Sequence, residues 1–359
     1  MKLSRLTGEF FRNITHFDLT FSPDFNIIYG YNGSGKTSIL EMIYCISRGR
    51  SFRTRASAPI IQYGSSYCTV FGLSISDSIS MSVGFKKTLD GKTQLKVGHE
   101  KKPPSANALA QLLPLQLFSP SYQEFLSQGP RIRRKFIDWG VFYLEANFVD
   151  SWSRYNQLLK QRNAALIQKQ PITQIALWHA EMARVGEYLF QVRDHYIQQL
   201  TQVAQYFIHR LVGAITIEFK HYRGWETQYS LLESLNHFVK KDFQYGYTSC
   251  GPHRCDLIIR VNGLEIEDTL SRGEQKRLIL SLYLAQGQLL KQSTGKTCIY
   301  LIDDVLSELD AYYQLKVLEV LKELESQVFI TVLDKKVVEQ VHAISQSHIF
   351  HMSEGVLQA

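Results

Sequence analysis

Cysteine is scarce and scattered in this chain: Cys45, Cys68, Cys250, Cys255 and Cys298 are its five. Such usage builds no disulfide framework and points to a reducing compartment. The run Cys250-Gly251-Pro252-His253-Arg254-Cys255 lacks the second ligand pair of a closed tetrahedral zinc site, so structural zinc is not expected. Residues 1–15 hold Lys2, Arg5, Glu9 and Arg12 but no apolar core of signal-peptide length. No stretch approaches the ~20 apolar residues of a membrane span, and there is neither an internal repeat nor a low-complexity tract. These absences predict a soluble, cytoplasmic protein. Acidic residues are the minority charge, 33 against 40 basic ones. An excess this mild permits a nucleic acid or other anionic partner and does not demand one. With 45% hydrophobic and 20% charged residues over 359 positions, the chain reads as globular, one large core with a second domain or insertion.

What is there centres on Gly30-Tyr31-Asn32-Gly33-Ser34-Gly35-Lys36-Thr37, which meets the G-x-x-x-x-G-K-[ST] pattern at every fixed position. Phe25-Asn26-Ile27-Ile28-Tyr29 before it reads as a short buried strand. Ile39, Leu40, Ile43 and Ile46 after it fall at helical spacing, so Ser38 to Ser47 reads as an amphipathic helix. Glycines at 30, 33 and 35 let the backbone curl so that amides point inward. The following helix adds its unpaired N-terminal amides and positive dipole end, which suits a polyphosphate. Lys36 places a point charge on the outer phosphates, and the Thr37 hydroxyl can ligate Mg²⁺. The expectation is a nucleoside triphosphate site.

Strands are expected at Lys2 to Leu6 and Phe17 to Phe21, then at Cys68 to Phe71, Ile79 to Phe85 and Gln94 to Val97, with Asp90-Gly91 as a hairpin turn. That is an antiparallel sheet beside the phosphate loop. Lys101-Lys102-Pro103-Pro104 marks a linker. Arg131-Ile132-Arg133-Arg134-Lys135 opens a long helical region to about residue 212, which Pro171 divides into at least two helices. Aromatics at helical steps within it, Tyr155 and Tyr196 among them, predict a helical core more than a base-stacking surface. Near the far end, Cys298-Ile299-Tyr300-Leu301-Ile302 reads as a central parallel strand buried on both faces, closed by Asp303-Asp304. A carboxylate there reaches the metal beside the phosphate loop. Asp303 is assigned the metal side with Thr37, and Asp304 the attacking water. A third element, Leu270-Ser271-Arg272-Gly273-Glu274-Gln275, opens a helix whose face carries Leu278, Leu282, Ala285 and Leu289. It is either a second anion site or a serine cap with Glu274 as its capping-box partner. The cap leaves Gly273 and Gln275 without a reason.

The phosphate loop, S-x-G-x-Q and strand-Asp together resemble the ATP-binding-cassette ATPases, and among them the DNA-repair branch with SMC-type heads, the RecF-like family. The likeness runs nearly end to end. It rests on Gly33-Ser34-Gly35-Lys36-Thr37-Ser38, Gly49-Arg50-Ser51-Phe52-Arg53, Arg133-Arg134-Lys135-Phe136-Ile137-Asp138-Trp139, Gly251-Pro252-His253-Arg254, Leu270 to Lys276, and Asp303-Asp304 with Ser307-Glu308-Leu309-Asp310. The resemblance implies an α/β fold: a P-loop ATPase core of ABC type, SMC-head-like, with an antiparallel β subdomain and an inserted, mainly helical lid. The core would be residues 1–105 and 248–359, and the lid 106–247. It further implies ATP and Mg²⁺ as ligands, with Gly30 to Ser38 on the nucleotide. Ser271, Gly273 and Gln275 would meet the γ-phosphate held by a second copy, in an ATP-dependent homodimer. Ser307 to Asp310 would line that interface. Thr331, after Val328-Phe329-Ile330, occupies the place of a switch histidine and can hydrogen-bond a phosphate without titrating. Gln116 or Gln123 would sense the metal.

RecF-like proteins act with RecR and RecO at single-strand gaps, with RecA loading downstream, and the resemblance carries these partners over as expectations. Double-stranded or gapped DNA would be gripped without sequence preference, and slow ATP hydrolysis would reset the clamp. Arg50, Arg53, Arg131, Arg133, Arg134, Lys240 and Lys241 are the candidate phosphate contacts. A transporter's nucleotide subunit would be compact and carry the switch histidine. An ATPase–nuclease of OLD type would need a further acidic domain where only residues 311–359 remain. A small-molecule kinase would leave the signature segment unexplained.

Overall fold

The computed structural model describes residues 1–76, 79–100, 103–119, 124–127, 129–333, 335–345 and 347–358. The chain divides into two compact units, Met1–Tyr122 with Thr294–Ala359, and Gln123–Ser293. Residues 106–122, expected in the lid, thus belong to the first unit, and residues 248–293, expected in the core, to the second. Strand pairing and side-chain bonding within each unit, given below, explain both differences.

Seven strands precede the second unit: β1 (Lys2–Phe11), β2 (Ile14–Thr20), β3 (Phe25–Tyr29), β4 (Tyr67–Ser76), β5 (Ile79–Thr88), β6 (Thr93–Val97) and β7 (Leu115–Phe118). The second unit contributes β8 (Ile217–Tyr222), β9 (Asp256–Val261) and β10 (Leu264–Glu265). After it come β11 (Ile299–Asp303), β12 (Val328–Val332), β13 (Ser347–Ser353) and β14 (Val356–Gln358).

In the first unit, β2-β1-β4-β5-β6 form the antiparallel sheet, and β14-β13-β3-β12-β11-β7 a second sheet that is parallel from β13 to β7. β7 pairs with β11, Gln116 opposite Tyr300, and this places the residues before Tyr122 in the first unit. β11 and β12 are buried at every position, as continuous apolar runs flanked on both sides require. The Lys36–Arg48 helix joins the two sheets. Its Ile39, Leu40, Ile43 and Ile46 share one core with Leu3 and Val70 of the antiparallel sheet and Leu301 and Phe329 of the parallel one. Each such burial stabilises by roughly 1.5–3 kcal/mol. Gln327 latches the ends of the chain together: its Nε2 donates to Leu3 O at 2.7 Å and its Oε1 accepts from Leu3 N at 2.7 Å.

The second unit is built on the helices Pro130–Leu144, Phe148–Ile167, His179–Leu211 and Arg272–Thr294. The aromatic positions at helical spacing point inward: Phe148, Tyr155 and Tyr196 are buried. The last helix belongs here because Gln286 Nε2 donates to Phe136 O and Tyr196 Oη, both at 2.8 Å. Gly251-Pro252-His253-Arg254 is a lock inside this unit. A side chain on Gly251 would meet Tyr155 Oη at 2.3 Å. That hydroxyl hydrogen-bonds His253 Nδ1 at 2.9 Å, and His253 Nε2 donates to Thr248 O at 3.1 Å. Fully buried Arg193 pairs with Asp138 at 2.8 Å and donates to Pro252 O at 2.9 Å. Fully buried Arg162 is held by Asp242 and Thr248, each at 2.8 Å, and donates to His179 Nε2 at 3.1 Å. No helix among the described residues is long and apolar enough to cross a membrane.

Burial pushes His253 and His221 down to about 4, and His179 also below its usual value. An unfolded histidine titrates near ~6.5. Between those values the unfolded chain binds more protons, so stability falls as pH falls, by at most about 1.4 kcal/mol per pH unit per histidine. Above the unfolded value the three contribute no slope. Thermal unfolding between pH 7.5 and 4 is expected to show this decline, and His253→Gln to make it shallower. An unaltered slope in that variant would mean that folding does not lower the pKa of His253.

Candidate nucleotide site

β3 lies between β13 and β12, so the loop leaving its carboxyl end emerges at the middle of the parallel sheet. Gly30 passes so close to β13 that a side chain there would meet Met352 O at 2.2 Å. Gly33 has φ of +79°, in the left-handed region, with open space around its missing side chain. Two turns hold the loop from outside. Asn13, between β1 and β2, donates from Nδ2 to Ser34 O at 3.1 Å, and Gly355, between β13 and β14, donates from N to the same oxygen at 2.9 Å. Neither residue carries a local sequence signal; only the pairing of distant strands brings them here.

Lys36 is buried and donates to Gly30 O at 2.9 Å and Tyr31 O at 3.1 Å, so its ammonium spans the mouth of the loop. Tyr31, Asn32 and Gly33 are exposed, and the buried Ser34 Oγ has no partner. Ser38 Oγ reaches Asn13 Oδ1 only at 3.4 Å. A cradle that side chains would fill, a cation at its mouth and an orphaned hydroxyl together fit a polyphosphate.

The carboxyl ends of β11 and β12 complete the site. Thr37 Oγ1 donates to Asp303 Oδ1 at 2.9 Å, so the two expected metal-side groups are in contact. Thr331 Oγ1 donates to the same Asp303 oxygen at 2.9 Å and accepts from Asp304 N at 2.9 Å. Thr331 is fully buried, and its hydroxyl is engaged inside the sheet. Asp304 leaves the sheet with φ of +54°, and its buried Oδ1 has no hydrogen-bond partner among the described residues. Burial raises its carboxyl above the ordinary range; nearby Asp303 and Glu308 add to this and Lys36 opposes it. Ser307 Oγ donates to Asp304 O at 2.5 Å, and Asp310 caps the Ala311–Glu323 helix by accepting from Tyr313 N at 3.1 Å.

In the second unit, Ser271 and Glu274 form a reciprocal cap. Glu274 Oε2 accepts from Ser271 N at 2.9 Å and from Ser271 Oγ at 2.6 Å, which holds its carboxyl below the usual range. Gln275 also has a local partner, donating from Nε2 to Leu270 O at 2.8 Å. Gly273 has none that requires a glycine. Its φ is ordinary, and the nearest atom to an added side chain, Arg277 Nη1, lies at 3.6 Å.

The basic candidates separate. Arg133 makes a two-pronged pair with Asp256 at 2.8 Å, and Arg134 donates to Cys255 O at 2.8 Å, so both heads serve the fold of the second unit. Arg53 is exposed with its guanidinium 3.9 Å from the buried carboxylate of Glu41, which also binds Arg12 and Ser51. Arg50, Arg131, Lys240 and Lys241 are exposed. Gln116 is buried within β7, and Gln123 lies outside the described residues.

A family model described as "RecF/RecN/SMC N terminal domain" matches residues 2–357. The chain is similar to the "DNA replication and repair protein RecF" of Vibrio vulnificus (strain CMCP6), 40% identical over 359 residues, 100% of this chain and 99% of that one. The protein of the same description from Vibrio cholerae serotype O1 (strain ATCC 39315 / El Tor Inaba N16961) is 42% identical over 365 residues, again 100% and 99%. Among solved structures, one described as the "recombination mediator protein RecF-ATP in RecFOR pathway" matches with a TM-score of 0.87 and 26% identity, over 99% of this chain and 97% of that chain. An Smc head bound to the C-winged helix domain of ScpA matches at a TM-score of 0.63 and 14% identity, over 100% and 96%, a likeness of fold alone. The fold is the SMC-head-like ABC ATPase fold, with a parallel sheet, an antiparallel sheet and helical regions, as expected.

Gly30→Ala is expected to lower the melting temperature and abolish ATP binding, because its side chain would displace the Met352 carbonyl. Gly33→Ala meets only the left-handed backbone, about 1–2 kcal/mol, and is expected to retain weakened ATP binding. Differential scanning fluorimetry with and without Mg-ATP checks both; equal behaviour of the two would discount the close approach at Gly30.

Proposed function

Because this chain belongs to the RecF family, we propose that it is an ATP-driven DNA-binding ATPase of recombinational repair, working in the cytoplasm. The carrying observation is the contact of Thr37 with Asp303, 266 positions apart, beside an Asp304 carboxyl oxygen that no other described residue holds. Thr37 follows β3 and the aspartate pair closes β11, and the convergence of these two strand ends supports phosphoryl chemistry more than a passive anion site.

The loop amides from Gly30 to Ser38 and the Lys36 ammonium hold the polyphosphate, Lys36 exchanging its carbonyl partners for phosphate oxygens. Thr37 and Asp303 would hold Mg²⁺. Bound Mg-ATP supplies an electrophilic phosphoryl group and the charge that neutralises its oxygens. Asp304 takes the proton of the attacking water, and burial makes it the better base. It is one methylene shorter than glutamate, so turnover is slow. Ser271, Gly273 and Gln275 of one copy close over the nucleotide of the other, giving two ATP molecules in a two-fold dimer. The bare Gly273 supports this, since nothing among the described residues needs a glycine there. The dimer grips double-stranded DNA near gaps through phosphate contacts from Arg50, Arg53, Arg131, Lys240 and Lys241, and its hydrolysis is stimulated by DNA. RecR, with RecO, would be its partners, and RecA loading the outcome.

Light scattering with and without Mg-ATP and a short duplex tests the clamp. Wild type is expected to pass from monomer to dimer with ATP and to bind duplex more tightly. Ser271→Arg and Gly273→Ala are expected to do neither, although alanine gains about 1 kcal/mol of helix propensity at 273 and should not lower the melting temperature. A wild type that binds ATP yet stays monomeric would sink the clamp.

Asp304→Asn is expected to slow hydrolysis by about 100-fold or more and to accumulate the ATP-bound dimer. An unchanged rate would remove Asp304 from the mechanism.

A further inference from the structure

Resting on the reading that Asp304 is the base, we infer that Thr331 is its positioning residue, a single buried hydroxyl that fixes the two strand-end aspartates relative to one another. Thr331 stands opposite Asp303 in the β11–β12 register and opposite Ile28 in the β12–β3 register, so it is centred in the sheet behind the site. It is fully buried. A hydroxyl has one proton to give. Thr331 Oγ1 accepts from Asp304 N at 2.9 Å, so its proton goes to Asp303 Oδ1 at 2.9 Å; the Ile302 carbonyl at 3.5 Å is the poorer acceptor.

The need for such a brace follows from the backbone. Asp304 is left-handed, φ +54°, a conformation that costs a residue with a side chain about 1–2 kcal/mol. The chain leaves the sheet at this residue, so no strand neighbour takes its amide. Thr331 takes the N–H, and Ser307 donates to the carbonyl at 2.5 Å. Both backbone polar groups of Asp304 are therefore pinned by side-chain hydroxyls. Its carboxyl Oδ1 is buried without a partner among the described residues. The residue is fixed at its root and unengaged at that oxygen, the arrangement a positioned base requires. Threonine is permanently neutral, so this brace does not depend on pH.

The test compares full-length wild type, Thr331→Val, which keeps the shape and removes the hydroxyl, and Thr331→Ser, which keeps the hydroxyl. Thr331→Val is expected to lower kcat by about 100-fold with the KM for ATP changed less than about threefold, and to dimerise with ATP as wild type does. Thr331→Ser is expected to recover most of kcat. Hydrogen exchange without nucleotide supplies a readout independent of turnover: the peptide containing Asp304 should exchange faster in Thr331→Val and normally in Thr331→Ser. A wild-type kcat in Thr331→Val overturns the proposal. So does an equal loss in valine and serine variants, or a joint loss of kcat, ATP affinity and melting temperature, which marks a packing role only. If wild type itself neither hydrolyses ATP nor dimerises, the ATPase reading fails; the exchange pattern still reports on the brace.

Discussion

The hydrogen bond from Thr37 to Asp303 requires β3 and β11 to stand with β12 between them, and most of the first unit serves that spacing. Parallel strands cannot be joined by short turns, so each neighbour of β3 comes from a distant part of the chain. Their shared direction brings every carboxyl end to one edge of the sheet. The phosphate loop, the aspartate pair and Thr331 are three such ends. The Lys36–Arg48 helix, buried on the faces of both sheets, fixes the fourth boundary of the site, and the turns at Asn13 and Gly355 hold the loop from outside. The edge is crowded: a methyl group on Gly30 has no room, and Asp304 must turn left-handed to leave it.

The signature segment is at once a helix cap and a candidate contact for another copy. Ser271 and Glu274 satisfy one another, as any good capping box does, and Gln275 closes the turn before it. These bonds account for order at the helix start without reference to nucleotide. Gly273 is the residue they leave over. Glycine is a weaker helix former than alanine. In the proposed dimer, this position is where the nucleotide of a second copy would approach.

Local chemistry was readable in the sequence; the destinations of long side chains were not. Glycine spacing and the strand–loop–helix context carried the phosphate site, and a continuous apolar run ending in two carboxylates carried β11. The capping box followed from a serine and a glutamate three apart. Arg133 and Arg134 read as one basic cluster, yet Asp256 and the Cys255 carbonyl, far along the chain, engage their charges. The bonds of Thr331 to Asp303 and to the Asp304 amide were not legible, because they depend on which strand β12 acquires as its neighbour. Asn13 and Gly355 were silent because a turn residue looks the same wherever the turn ends up. Compact-unit boundaries shifted for the same reason: β7 and the Arg272–Thr294 helix are assigned by their partners and not by composition.

The Gln327 latch on Leu3 spans 324 positions, and β3 has its neighbours β12 and β13 from the same late region. On a ribosome making about 5–20 residues per second, that separation is roughly 15–60 s. For that interval an apolar central strand and the phosphate loop exist without the strands that will bury them, while the second unit, contiguous in sequence, has all of its own partners. High sequence separation of this kind slows folding and exposes strand edges to wrong pairing. A chain that stalls before Val328 lacks both strands that pair with β3 and leaves its edges open to wrong pairing.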